Sequence, residues 1–414
     1  MIARPIRVLY VMHSGSPAGS AESLCVLLEH FAPGAVSATV LCPEGEIVPR
    51  LRETGATVRI IPGVAMFHSI EGIPLRGRRL LELGRTVWMM RYGDRIRAAI
   101  RETRPDVVHL NERGMLHAAR IAHREGVPVV LHARSVAERR DGWVRRLSAK
   151  AIRRHVARVV AIDESVRASL EELQNVDLIY NPLHGRTLSD VATEIPPSGA
   201  EAGSPVRVTY LTGLQVFKGI RDLLRSALLL RHRTDIVFQI AGSNSRPAAF
   251  HRSLRGRLLH LFGFAKDVEA SVRRWIAEHG LGMTVRLLGR VEAGSVLAET
   301  DILVFPSHLD APGRSVFEAG ARGVPAIVAL RHRIEDVVVD GETGLIVPER
   351  DPLALAQAIL RLADDAALRR RLGQSAQTRY RRQFAPQPIA DRMVELYRTL
   401  MQQANPGELM GSST

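Results

Sequence analysis

Positions 301–319 read DILVFPSHLDAPGRSVFEA, and the order of residue types in that stretch decides the architecture. The run 302–305 is apolar without polar alternation, the pattern of a strand buried on both faces. A loop carrying Asp310 and Gly313 follows, and a helix then opens with Glu318 about one turn in. Gly313 allows backbone to approach a ligand closely, and the N–H groups of Arg314, Ser315 and Val316 have no intrahelical acceptors. Such N–H groups hold phosphate, while Glu318 is suited to accept from two vicinal ribose hydroxyls. Acids near a helix N-terminus also suit its dipole without any ligand. The succession of strand, acid, glycine, helix and second acid carries the functional reading.

Upstream, the strand pattern 206–211 runs directly into Thr212-Gly213-Leu214-Gln215-Val216-Phe217-Lys218-Gly219. Gly213 permits a tight exit, and Lys218 places an ammonium at the mouth of the sheet. A departing diphosphate needs cations or dipoles there, because negative charge builds on it as the bond to it breaks. Further strand patterns lie at 236–241, 284–288, 326–329 and 344–347, with helices at 315–322 and 353–362 between the later ones. The turn Gly289-Arg290-Val291 is placed to offer backbone groups to a base edge.

The N-terminal half repeats the scheme. Strand patterns at 6–12, 38–42, 57–61, 106–110, 128–132 and 156–162 alternate with helical ones, the first at 21–31 with Leu24, Leu27, Leu28 and Phe31 on one face. Alternation of this kind builds a mostly parallel sheet covered on both faces. The fold class expected is α/β, with two Rossmann-like doubly wound domains and ligands at the carboxyl ends of their strands, facing a central cleft. The boundaries expected are 1–186 for the first domain, 187–205 for a linker rich in Pro, Ser, Gly and Ala, and 206–386 for the second. A long amphipathic helix follows at 387–402, and 403–414 forms a tail.

Composition narrows the function. The chain has 414 residues, 46% apolar and 24% charged, a globular profile with room for two cores. Its two cysteines, Cys25 and Cys42, are too few for a disulfide framework and have no metal-ligand spacing. No run is apolar for the length of a spanning helix, and no signal-peptide pattern opens the chain, so a cytoplasmic protein is expected. No zinc spacing or carboxylate pair suited to a metal appears, so neither metal nor cofactor is expected. The first turn, 13–20, lacks the glycine spacing of a dinucleotide-binding fingerprint. Aromatic residues make up only 5% and no nucleic-acid motif appears, which argues against a nucleic acid partner. His109 and His132 each end a strand on the ligand side, where an imidazole can orient an acceptor or sugar hydroxyl or serve the core.

Residues 206–359 resemble the donor domain of the retaining family-4 glycosyltransferases of GT-B fold. The resemblance rests on Gly213…Lys218-Gly219, Ala241-Gly242, Leu288-Gly289, 301–307, the acid pair Asp310 and Glu318, Gly323-Val324-Pro325 and Gly341…Gly344. The N-terminal half is similar more loosely, through Gly15 and Gly19, 105–109 and Tyr180-Asn181-Pro182. The resemblance implies that Lys218 contacts the diphosphate of a UDP- or GDP-sugar, Glu318 the ribose, and Asp310 the donor sugar. It also implies catalytic roles for Asp310 and Lys218, to which the strand-end position of His109 adds a third candidate, and donor contacts from Gly213, Gly242, Arg290, Val291, Gly313, Arg314, Ser315 and Val316. Gly15 and Gly19 then belong to the acceptor side, where the strand-end position also puts His132, and the last helix crosses back to the N-terminal domain.

Two departures from the family pattern stand out. The first acid, usually Glu, is Asp310. The arginine common after the first glycine is Leu214, so either Arg314 or Arg290 substitutes, or activity is reduced or lost. The resemblance implies a retaining hexosyltransferase acting on a lipid-linked or saccharide acceptor in polysaccharide biosynthesis. A sugar-nucleotide epimerase and a non-catalytic nucleotide-sugar-binding homologue are the alternatives.

The net charge of the chain is +14, and residues 74–160 alone hold 21 Lys and Arg against 8 Asp and Glu. Arg76, Arg78, Arg79, Arg85, Arg91, Arg95, Arg97 and Arg101 alternate there with Leu80, Leu83, Val87, Trp88 and Met90. Basic residues beside an apolar stripe suit a helix lying on an anionic membrane surface, while a solvated arginine face reads the same way.

Overall fold

The computed structural model describes residues 4–17, 19–67, 78–136, 143–183, 204–244, 248–261, 267–309, 313–330, 336 and 338–404. The chain divides into two units, Met1–His184 with Phe384–Thr414, and Gly185–Gln383. Most of the expected linker, 187–205, lies outside the described residues.

The first unit holds β1 (Ile6–Val11), β2 (Val36–Cys42), β3 (Thr57–Ile60), β4 (Val107–Leu110), β5 (Val129–Ala133), β6 (Arg158–Ala161) and β7 (Val176–Leu178). They form one sheet in the order β3-β2-β1-β4-β5-β6-β7, with every pairing parallel. The apolar runs β4 and β5 are buried along their whole length, as strands covered on both faces must be. β7 was not expected, because Val176-Asp177-Leu178 is too short to show a period.

The second unit holds β8 (Val206–Leu211), β9 (Ile236–Ala241), β10 (Val285–Gly289), β11 (Ile302–Phe305), β12 (Ala326–Ala329) and β13 (Gly344–Val347). Their order is β10-β9-β8-β11-β12-β13, again all parallel. In each sheet the chain starts near the centre, builds outward to one edge, then reverses to the other side of its first strand. The reversal falls between β1 and β4 in one sheet and between β8 and β11 in the other, the point at whose carboxyl edge open α/β sheets bind ligands.

The last helix, Pro386–Ala404, belongs to the first unit. Ile389, Ala390, Met393, Val394, Tyr397 and Leu400 recur at helical spacing and are buried. They share a core with Ile6, Val8, Tyr10, Leu24 and Leu27, and each large side chain so placed contributes about 1.5–3 kcal/mol. The return begins slightly before the expected boundary, where Leu183 N donates to Phe384 O at 3.1 Å and the Tyr180 and Phe384 rings meet edge to face.

Candidate active site

In the second unit the loops leaving β8 and β11 are pressed together. Gly219 has φ +75°, and a Cβ there would stand 1.7 Å from Pro306 O, so only glycine fits both the backbone and the space. His308 N donates to Phe217 O at 2.8 Å, and His308 Nε2 lies 2.5 Å from Oδ2 of buried Asp222. These contacts fix the single turn Val216–Lys218 against the β11 exit. No periodic pattern in the chain signals them, since His308 and Asp222 come from different elements.

Lys218 is half-buried at this junction, with Nζ 5.2 Å from the Phe305 ring centre and 5.7 Å from that of Phe217. No carboxylate pairs with it among the described residues, and burial pulls its pKa below the ordinary lysine value. An ammonium held short of water and of a counter-ion favours an incoming anion. Gly213 is exposed, with open space around its α-carbon. Leu214 turns the other way, 2% exposed in the core of the unit.

Across the junction, Gly313 caps the helix Arg314–Ala321, and a Cβ on it would come within 2.5 Å of the Phe305 ring. The expected row of open N–H groups is shorter than the sequence implied, because Val316 N closes onto Gly313 O at 2.9 Å. The Ser315 N–H has no intrahelical acceptor by helix geometry. Glu318 is largely enclosed and accepts from Arg314 Nε at 2.6 Å. Asp310 lies outside the described residues.

Arg290 and Val291 are exposed beyond β10, two strands from β8 and so about 10 Å along the edge. Gly242 joins those exits: its N–H donates to Gly289 O at 2.7 Å, and a Cβ on it would meet Thr212 O at 2.0 Å. Its smallness is therefore used in packing.

The first unit corrects three expectations. His109 is fully buried, with Nδ1 2.7 Å from Tyr397 Oη and Nε2 3.1 Å from His132 Nδ1. Both ring nitrogens are thus engaged inside the unit, and neither is left for an acceptor hydroxyl. Burial, helped by the Arg134 charge, lowers its pKa to about 3. His132 is 2% exposed and its pKa also lies well below the ordinary value, first through burial and then through Arg134 and His109. Enclosed in this way, it presents no face to an acceptor. Gly15 meets the loop after β2, where a Cβ would lie 2.5 Å from Pro43 O, so its smallness serves chain packing, whereas Gly19 faces open space.

What the sequence reading missed at this edge is a network around Arg134, directly after β5. Its Nε donates to Asn111 Oδ1 at 2.9 Å, and its guanidinium also reaches Asn181 Oδ1. Asn111 Nδ2 donates to Ser20 O at 3.1 Å, and Glu112 Oε1 accepts from Ser135 Oγ at 3.0 Å. The available signal was a polar triplet, Asn111-Glu112-Arg113, and a polar pair, Arg134-Ser135, each following a buried strand. Among the described residues no group of three or more His, Cys, Asp or Glu is placed to hold a metal.

The model of "Glycosyl transferases group 1" matches residues 192–379, and that of "Glycosyltransferase Family 4" matches residues 18–184. The chain belongs to the group 1 glycosyltransferases. A glycogen synthase of Mycobacterium tuberculosis is 25% identical over 333 residues, 75% of this chain and 73% of that protein. A D-inositol 3-phosphate glycosyltransferase of Corynebacterium efficiens is 29% identical over 218 residues, 50% of this transferase and 46% of its own length. Among solved structures, Anabaena Alr3699/HepE in complex with UDP and glucose superposes with TM-score 0.71 at 17% identity, covering 95% of this chain and 100% of that one. Sucrose-phosphate synthase from Thermosynechococcus elongatus gives 0.70 at 19% identity, covering 97% and 100%. At such identities the likeness shows the fold, which is GT-B. No described helix of this glycosyltransferase is long and apolar enough to cross a membrane.

Proposed function

We propose that this glycosyltransferase is a retaining hexosyltransferase that takes its sugar from a UDP- or GDP-sugar and passes it to a hydroxyl of a lipid-linked or saccharide precursor. One observation carries the donor part: the Lys218 ammonium, with no carboxylate partner among the described residues, stands where the β8 and β11 exits are locked together, near the Phe305 ring against which Gly313 at the helix start also packs. In this reading Lys218 and the Ser315 N–H take the charge that builds on the diphosphate. Glu318 takes the ribose hydroxyls, Arg290 and Val291 meet the base, and Asp310 meets the donor sugar. The complex of HepE with UDP and glucose supports a nucleotide ligand for the fold. On the acceptor side, the Asn111, Arg134 and Asn181 network offers fixed polar groups, with Gly19 beside it in the chain order of the β1 exit. Glycosyl transfer on this reading uses no metal, since Lys218 and helix N–H groups supply the positive charge.

A second reading, nucleotide-sugar binding without transfer, is favoured by the inward turn of Leu214, which leaves the diphosphate one cation short unless Arg314 or Arg290 supplies it. A panel of UDP- and GDP-sugars, assayed with membrane lipid extract as acceptor source and with EDTA in a parallel series, separates the two. Nucleotide release that depends on acceptor, with the anomeric configuration kept in the product, supports transfer. Tight binding without release selects the second reading, and an epimerised donor removes both.

A further inference from the structure

The first unit carries a groove of about 880 Å³ between the helices Arg78–Met89, Leu116–Arg124 and Trp143–His155, within the size range of small-molecule sites. Two of these helices follow the parallel strands β4 and β5, so they run side by side in the same direction. Leu116, Arg120 and Arg124 face the groove from one, and Leu147, Ala151 and Arg154 from the other. Among these groove-facing residues the apolar ones come first along each helix and the arginines last. The groove is therefore apolar at the end nearer the carboxyl edge of the sheet and cationic at the other. Its described lining includes no Asp or Glu.

The charge at this groove differs from the rest of the basic window. Arg97 and Arg101 pair with Glu125, and Arg145 with Glu172. Arg76 lies outside the described residues, as do the side chains of Arg78 and Arg79. Arg120, Arg124 and Arg154 are exposed and have no carboxylate partner among the described residues. On the groove lining Leu147 is 55% exposed, and Trp88, 51% exposed, lies on the helix that brings Leu83 to the groove. The Arg91 guanidinium lies 3.6 Å over the Trp88 ring. Single exposed apolar residues are ordinary, but Leu147 together with the half-buried Phe67, Leu83, Met90 and Leu116, in a groove with one unbalanced sign of charge, marks a ligand surface.

We propose that this groove binds one molecule of an anionic phospholipid, its phosphate against Arg120, Arg124 and Arg154 and an acyl chain over Leu83, Leu116 and Leu147. The inference deepens the membrane side of the proposed function and rests on that reading only for the source of the lipid. The cationic end lies away from the carboxyl edge, so the lipid held here is an anchor distinct from the acceptor.

The test titrates the full-length protein with short-chain phosphatidylglycerol, short-chain phosphatidylcholine and glycerol phosphate, following tryptophan fluorescence. Phosphatidylglycerol is expected to bind at least tenfold tighter than either of the others. Leu147→Asp, at an exposed site, and the pair Arg120→Glu and Arg124→Glu should each weaken it at least tenfold. Equal binding of glycerol phosphate, wild-type affinity in Leu147→Asp, or no binding of phosphatidylglycerol overturns the proposal. Hydrolysis of free nucleotide-sugar, measured on the same preparations, should be the same in these variants as in wild type. Absence of lipid binding by the wild-type protein with donor hydrolysis intact rejects the anchor alone, and lipid binding by the wild-type protein without any donor hydrolysis rejects the donor reading alone.

Discussion

Arg314 Nε donates to Glu318 Oε1 across one turn of the same helix, at 2.6 Å. The carboxylate assigned to the ribose is therefore already engaged by a neighbouring guanidinium, and vicinal hydroxyls must share or displace that contact. A charged hydrogen bond of this kind is worth about 1.5–3 kcal/mol. Glu318→Ala should lower kcat/KM at least tenfold, consistent with loss of one such contact to the ribose. Arg314→Ala distinguishes its two roles. If Arg314 supplies the cation that Leu214 does not, kcat falls at least tenfold and Arg314→Lys restores part of it. Turnover like wild type in Arg314→Ala, with the fold intact, assigns that cation elsewhere.

Lys218 gives a pH signature. Burial already lowers its pKa in the free protein, and a bound diphosphate raises it again. Its share of the affinity is full below the free-protein pKa and is lost as pH rises through the bound-form value. Calorimetric titration of UDP and GDP should show affinity falling on the alkaline side earlier than an ordinary lysine dictates. Lys218→Arg should remove that fall, because a guanidinium stays charged, and Lys218→Ala should cost at least tenfold in affinity near neutrality. The same alkaline fall in Lys218→Arg would assign it to another group.

His308 and Asp222 hold the Lys218 turn from behind. His308→Ala removes the 2.5 Å contact to Asp222 without touching the ammonium, so nucleotide affinity should drop by less than in Lys218→Ala. Gly219→Ala is far more severe, since its Cβ would collide with Pro306 O in a backbone conformation that disfavours side chains. Thermal melting should show a large loss for Gly219→Ala and a small one for His308→Ala. The reverse order would contradict the packing described.

The buried chain Tyr10, Tyr397, His109 and His132 predicts acid sensitivity. His109 has a folded pKa of about 3 against an ordinary 6.5, so the unfolded chain takes up the proton first as pH falls. Its share of stability is complete above about 6.5 and is lost progressively towards pH 3, at about 1.4 kcal/mol per pH unit. Melting temperature should fall between pH 7 and 5, and more gently in His109→Gln. Tyr397→Phe, which strips a hydroxyl from both Tyr10 and His109, should cost about 1–3 kcal/mol at neutral pH. A pH slope unchanged by His109→Gln would assign the effect to His132 or another group.

The strands from β8 onward were legible because each is a short, mostly apolar run ended by small or polar residues, and β11 and β12 are buried along their whole length, which removes polar alternation. Lys218, Gly313 and Glu318 were legible for the same reason, since they follow such runs directly. His109 misled because a strand-end histidine looks the same in sequence whether it faces solvent or a tyrosine. Its partner Tyr397 comes 288 residues later, on a helix whose docking no local pattern encodes. Arg134 was missed because its partners, Asn111 and Asn181, leave different strand exits and meet only after the sheet has formed. Gly15 reads as a ligand-side residue because a glycine in a strand exit does not say which backbone passes over it, here that of Pro43.

The placement of helix Pro386–Ala404 has a consequence for biosynthesis. The second unit is continuous in the chain, so all of its strands and the helix Ala366–Gln383 emerge from the ribosome in one uninterrupted stretch. The first unit emerges earlier but lacks Met393, Tyr397 and Leu400 until translation has passed them, with the apolar faces of β1 and Gly19–Glu29 uncovered meanwhile. Domains otherwise complete themselves in the order of synthesis. Here the half made first is finished last, and its exposed interior must be kept from aggregating while the half made second folds.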